Sequence, residues 1–146
     1  MSDQLYFEDI QERMALPTLG KCPTTRQLVM YAGASNDYYE IHYDAQFARE
    51  RGLERVIVHG ALKSAFLGQL ITDWIGGRGT LKKLAVQYRD MDVPGDQLMC
   101  MGTVTKKHVD GVEGIVECDI WIENGSGHRT TRGTAIVVLP LRDTES

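Results

Sequence analysis

The sequence predicts an α+β domain in which a curved antiparallel sheet wraps one long central helix. Two patterns point to this. Residues 61–75, ALKSAFLGQLITDWI, place Leu62, Ala65, Phe66, Leu67, Leu70 and Trp74 over more than half of the helical wheel, so that helix needs cover on most sides. From residue 80 onward the hydrophobic period becomes two, the signature of strands with one buried face. A sheet with one apolar face and a helix in need of cover satisfy each other.

The elements follow in chain order. Residues 4–22 hold sparse apolar positions, Leu5, Phe7, Leu16 and Leu19, with turn signals at Pro17 and Gly20; they predict an edge strand or extended arm. Thr24 and Gln27 form a capping box that opens a helix running to Ala32, with Gly33 as its left-handed stop. Asp44 caps a second helix over 45–51, closed by Gly52. Residues 33–43 between them form a loop rich in polar and aromatic side chains. Residues 55–58, RVIV, are expected as a short buried strand, and Gly60 then opens the long helix. Gly76-Gly77-Arg78-Gly79 ends it.

Among the strands, Leu84, Val86 and Tyr88 alternate with Ala85, Gln87 and Arg89, and Leu98, Cys100 and Val104 with Met99, Met101 and Thr103. Val116, Cys118, Ile120 and Ile122 give the cleanest alternation, and Thr134 to Leu139 the last strand. Val93-Pro94-Gly95-Asp96, Asp110-Gly111 and Asn124-Gly125-Ser126-Gly127 carry hairpin turn chemistry, so the strands are expected to form a meander. With neither repeats nor a linker, the chain is expected to be a single domain over 1–146, with a short charged tail from Arg142. The architecture is that of a hot-dog fold.

Composition narrows the function classes. With 42% hydrophobic and 25% charged residues, the chain is of ordinary globular type. It has no apolar run long enough to span a membrane, and its N-terminus lacks the basic flank and apolar core of a signal peptide. The expectation is a cytoplasmic protein without a membrane partner. A net charge of −4 argues against nucleic acid as a partner, since such a surface needs a basic excess. The three cysteines, Cys22, Cys100 and Cys118, are far apart and match neither metal spacing nor a disulfide framework. They are expected as reduced thiols, with no metal site.

Residues 31–66 carry the chemistry. Asp37 and His42 lie on one polar loop, and a positioned acid or base of this kind contributes about a hundred- to ten-thousand-fold. Some twenty residues on, Gly60 stands where a helix begins. Helix starts offer unpaired amides and partial positive charge, which suit a developing oxyanion. Alone, an Asp and a His five apart are usually solvated turn residues, and a glycine there is usually only a helix entry. It is the full spacing that lifts them above that reading. Tyr38, Tyr39, Tyr43 and Tyr88 are expected in the core or cleft wall, and Met91, Met99 and Met101 as gap-filling core or pocket lining. Lys82-Lys83 reads as a solvated strand end, and His108 and His128 as surface residues.

The succession Tyr31-Ala32, Ser35, Asp37, Ile41-His42, Asp44, Ala48 and then Val58-His59-Gly60 resembles the signature of MaoC-like dehydratases, the (R)-specific enoyl-CoA hydratases. The likeness runs from about Asp3 to Pro140. The resemblance implies the hot-dog fold and reversible hydration of trans-2-enoyl thioesters carried on CoA or acyl carrier protein, with no cofactor. It implies Asp37 and His42 as the catalytic pair that holds the water, and Gly60 as oxyanion donor. Ser35 would help set the loop; His59 is expected to support the loop or helix start. The chain departs from the family pattern in having Tyr39-Glu40 where Asn-Pro is common before Ile-His, and Asn36 in place of the usual glycine. Loss of that proline is expected to loosen the turn.

Two other readings compete. A hot-dog thioesterase generally needs a carboxylate within the central helix, and here the helix offers only Asp73, near its far end. A heteromeric dehydratase acting on a bulky acyl or steroid side-chain thioester would pair this chain, as the active subunit, with a second hot-dog chain. A homodimer is the simpler expectation, because a curved sheet leaves an edge to pair.

Overall fold

The computed structural model describes residues 4–143. Its centre is helix α3, Gly60–Ile75, which buries Leu62, Lys63, Phe66, Leu67, Leu70, Ile71 and Ile75. These positions recur at three- and four-residue spacing, so they form one stripe against the concave face of the sheet. Ala61, Ala65, Gln69 and Thr72 stay exposed. Cover within the chain is therefore on one side of α3, not most sides as expected, because two of the apolar-face residues are alanines with little surface to hide.

The sheet is antiparallel and five-stranded, with β1 (Leu19–Lys21), β2 (Thr80–Tyr88), β3 (Leu98–Asp110), β4 (Glu113–Glu123) and β5 (Arg129–Leu139) in the order β1-β3-β4-β5-β2. The four later segments expected as strands are all strands. The meander holds for β3, β4 and β5 only; β2 pairs with β5 at one edge of the sheet. Val93-Pro94-Gly95-Asp96 thus belongs to a crossover from β2 to β3 and not to a hairpin. Turn residues specify a local reversal, with Gly95 at φ +90°, but not which strand the chain returns to. β5 begins five residues earlier than expected, because its first inward positions are the buried threonines Thr130 and Thr131, which apolar alternation does not mark.

Leu81 and Leu84 are three residues apart and would face opposite sides of a regular strand. A bulge between Leu81 and Lys83 restores both to the inner face beside Val86. Along β3, Leu98, Cys100, Gly102 and Val104 are buried while Met99, Met101 and Thr103 are only partly so. The methionines therefore sit on the outer face and do not fill the core; Met91 is exposed.

At the opposite edge the N-terminal arm lies along β3. Leu19–Lys21 pairs with Leu98–Cys100, and Arg13 N and Leu16 N donate to the carbonyls of Val104 and Gly102. Lys107 Nζ holds the arm by donating to the carbonyls of Phe7 and Ile10 over the Phe7 ring.

Helices α1 (Thr25–Ser35) and α2 (Ala45–Glu50) are capped as expected by Thr24, which accepts from Gln27 N, and Asp44, which accepts from Phe47 N. α1 does not stop at Gly33. It runs two residues further and ends on Asn36 in the left-handed region, φ +58°. Asparagine tolerates that conformation better than most side chains, so it does here what a glycine would do.

Residues 55–58 form no strand. Ile57 N donates to Ile41 O and Val58 N to Asp92 O, each to a different loop, so no ladder develops although Val56 and Val58 are buried. Among the described residues no helix is long and apolar enough to cross a membrane.

Candidate active site

The loop after α1 is braced by short local bonds. Asp37 N donates to Ala32 O at the helix end, Tyr43 Oη to Tyr38 O at 2.7 Å, and Asp44 N to Glu40 O at 2.8 Å. Glu40–His42 makes one 3₁₀ turn, with His42 N bonded to Tyr39 O. The turn is thus closed without the Asn-Pro of the family pattern. Ser35 Oγ donates to Tyr31 O within α1 at 2.7 Å and so secures the last helical turn.

His42 is buried, and its Nδ1 lies 2.8 Å from the carbonyl of Ile57. A carbonyl only accepts, so Nδ1 carries the proton and Nε2 presents a lone pair. The residues immediately after Ile57 lead into α3, so the same extended segment that aims His42 also delivers His59 and Gly60. The ring of His59 is fully buried and stacks on that of His42, centroids 3.8 Å apart and 21° from parallel, with Tyr31 edge-on at 4.8 Å. Among the described residues neither ring nitrogen of His59 has a partner in full hydrogen-bond geometry, although the Asp37 carbonyl lies close enough to act on it. Burial first, then the neighbouring imidazole of His42, holds its pKa below the usual histidine value; the carbonyl and carboxylate of Asp37 oppose this without reversing it. The balance favours the neutral form of His59.

An Asp37 carboxylate oxygen and a nitrogen from each of the two imidazoles all lie within 4.8 Å of one another. The loop acid and both histidines therefore meet in one place. Such a trio has the composition of a metal site. Separations of this size also suit a water molecule held between two of the groups, since two hydrogen bonds through one oxygen span about 4.5–5.5 Å.

Gly60 follows His59 directly as the first residue of α3, and its N–H has no main-chain acceptor among the described residues. A side chain there would meet the ring of Tyr88, whose carbons stand 3.0–3.3 Å from where Cβ would lie. Tyr88, half exposed at the end of β2, is hydrogen-bonded to Ser64 at 2.6 Å and forms a wall over the helix start. Beside the loop, Val29, Ala32, Tyr38 and Tyr43 line an apolar hollow of about 200 Å³. A larger one of about 420 Å³ lies over β2 and β5 and touches neither Asp37 nor the histidines.

Sequence reasoning missed one group. Lys63, one turn into α3, is 2% exposed and forms a 3.0 Å ion pair with Asp92, which also accepts from Thr130 Oγ1 at 2.6 Å. The signal was available: Lys63 lies on the same stripe as Leu67, Leu70 and Ile71.

The family profile described as MaoC like domain matches residues 9–118. A fatty acid synthase subunit beta from Gibberella zeae is 32% identical over 122 residues; the match takes in 82% of this chain but only 6% of that subunit's length. An (R)-specific enoyl-CoA hydratase from Aeromonas caviae is 25% identical over 78% of this chain and 84% of its own. Among solved structures, an R-hydratase from Pseudomonas aeruginosa superposes with a TM-score of 0.85 at 18% identity, over 98% of this chain and 93% of that one, and shares its hot-dog fold. With three quarters of its length inside the profile, this chain belongs to the MaoC-like dehydratase family.

Proposed function

We propose that this chain is a hydro-lyase that reversibly adds water to the double bond of a trans-2-enoyl thioester and gives the (R)-3-hydroxyacyl product. The observation that supports the reading is that an Asp37 carboxylate oxygen lies within 4.8 Å of a ring nitrogen of His42 and of His59, the residue that directly precedes the first amide of α3. Water donates one hydrogen bond to His42 Nε2 and the other to the Asp37 carboxylate. Its oxygen attacks the β-carbon as its proton passes to Nε2, and the electron pair of the double bond moves onto the thioester oxygen. The Gly60 N–H, at the positive end of α3, holds that oxygen while it is charged. The imidazolium, balanced by Asp37, then returns the proton to the α-carbon. Hydroxyl and proton both come from water, so the reaction as written needs neither metal nor redox cofactor. The hand of the product is carried over from the Aeromonas caviae relative.

The thioester is carried by CoA or by acyl carrier protein, the latter in keeping with the likeness to a synthase subunit. The thioesterase alternative is disfavoured by Asp73, which is exposed and lies about 20 Å along the helix from Gly60 at 1.5 Å per residue. A homodimer is the assembly proposed, since β2 leaves an unpaired edge.

The test follows loss of the conjugated enoyl absorbance and release of free thiol together, with crotonyl and longer enoyl thioesters on both carriers. Loss of conjugation without thiol is expected. Thiol release without hydration would refute the hydro-lyase in favour of hydrolysis.

A further inference from the structure

We propose that Lys63, Asp92 and Thr130 form a clamp that positions the His59-Gly60 turn against Asp37 and His42; this inference rests on the hydro-lyase reading. The segment 90–92 grips the turn from both sides. Before it, Asp92 O accepts from Val58 N at 2.8 Å. After it, Lys63 Nζ donates to Asp90 O and to Asp92 Oδ2, both at 3.0 Å. The segment is in turn fixed to the sheet, because Thr130 O accepts from Arg89 N and Asp90 N while Thr130 Oγ1 donates to Asp92. His59 and Gly60 are thus suspended between two ties to one anchored loop.

Stability alone gives no reason for this arrangement. A cation in the first turn of a helix faces the positive end of its dipole, and buried ion pairs are commonly replaceable by apolar residues at no loss. Both side chains are almost wholly buried, 3% and 0% exposed, and Asp92 Oδ1 has no partner among the described residues. What the pair supplies is direction. Lys63 is one helical turn from Gly60 and its ammonium stands 5.7 Å from the centre of the Tyr88 ring that walls Gly60. A shift of the first turn of α3 would carry the Gly60 amide away from the oxygen it is to hold and unstack His59 from His42. Displacement on the scale of 1 Å costs about a hundredfold in rate.

The test is the double variant Lys63→Met/Asp92→Asn in the full chain. It removes both charges and the tie to α3, while the new amide keeps an acceptor for Thr130. The expected result is a kcat lowered about ten- to a hundredfold with KM within about threefold. Melting should stay close to wild type, and the His42 and His59 ring resonances should shift in NMR spectra. A folded variant with wild-type kcat and unchanged ring resonances overturns the clamp, as does a change confined to KM. If the double variant does not fold, Thr130→Val, which removes only the 2.6 Å bond onto Asp92, carries the same comparison. A wild-type chain that hydrates no enoyl thioester overturns the hydro-lyase reading, and the ring resonances then judge the clamp by themselves.

Discussion

Substituting Gly60 by alanine separates chemistry from packing at the helix start. The new Cβ would stand 3.0, 3.1 and 3.3 Å from three carbons of Tyr88, against an ordinary carbon contact of about 3.5–4.0 Å. The ring must retreat by about half an ångström, which breaks or stretches its 2.6 Å bond to Ser64, worth about 0.5–1.5 kcal/mol and toward the lower figure in a half-exposed ring. Alanine is the better helix former by up to about 1 kcal/mol, so the two effects nearly cancel. Folding stability should change by less than about 1 kcal/mol by urea titration. Alanine keeps the main-chain N–H, so turnover falls only because the new methyl holds the thioester oxygen away from it. The fall should be about a hundredfold or more, approaching the hundred- to thousandfold that a lost oxyanion donor costs. Adding Tyr88→Ala restores the room but should not restore the rate if the methyl obstructs the thioester. A Gly60→Ala variant of near-normal turnover would refute the close approach of a thioester to this backbone, and full rescue by Tyr88→Ala would make the glycine a packing residue alone.

Three further outcomes follow from the same geometry. Asp37→Asn and His42→Ala should each lower kcat at least about a hundredfold and leave the circular dichroism spectrum unchanged, because both side chains are on a loop braced mainly by other groups. His59, whose folded pKa is held below the usual histidine value of 6.5, takes up a proton more readily in the unfolded chain. Its stabilisation is complete above that value and is lost as pH falls from there through the folded pKa, so His59→Phe, which keeps a ring against His42, should flatten the fall in urea midpoint between about pH 8 and about pH 5.5. Burial raises the thiols of Cys100 to about 11 and Cys118 to about 12, so in the native protein a thiol reagent should modify Cys22, which is exposed, and reach the other two only on unfolding.

What could be read before folding was whatever depends on period and spacing. The apolar run at 61–75 and the alternation at 116–122 are local patterns, and each produced the element it implied. The spacing of Asp37, His42 and Gly60 placed them near one another because a single loop, one short helix and the extended segment 55–58 separate them. What could not be read depends on partners distant in sequence. Val56 and Val58 are as β-branched and apolar as a strand requires, yet their neighbours supply single acceptors and not a ladder. The position of β2 beside β5 is invisible to turn chemistry. Asp92 gives no sign in its own neighbourhood that its carboxylate will be buried against Lys63, since the two meet only through the crossover. Gly33 was passed over as a stop because Asn36, three residues on, fits the same backbone conformation.

The position of β2 has a practical consequence. Among the described residues its outer rim leaves main-chain donors and acceptors without strand partners over nine residues, from Thr80 to the tyrosine that roofs Gly60. A strand from a second copy docked on this rim would press on the roof, and under the proposed homodimer the rate per molecule would vary with how concentrated the protein is. Dilution is therefore the control that every kinetic comparison on this protein should include.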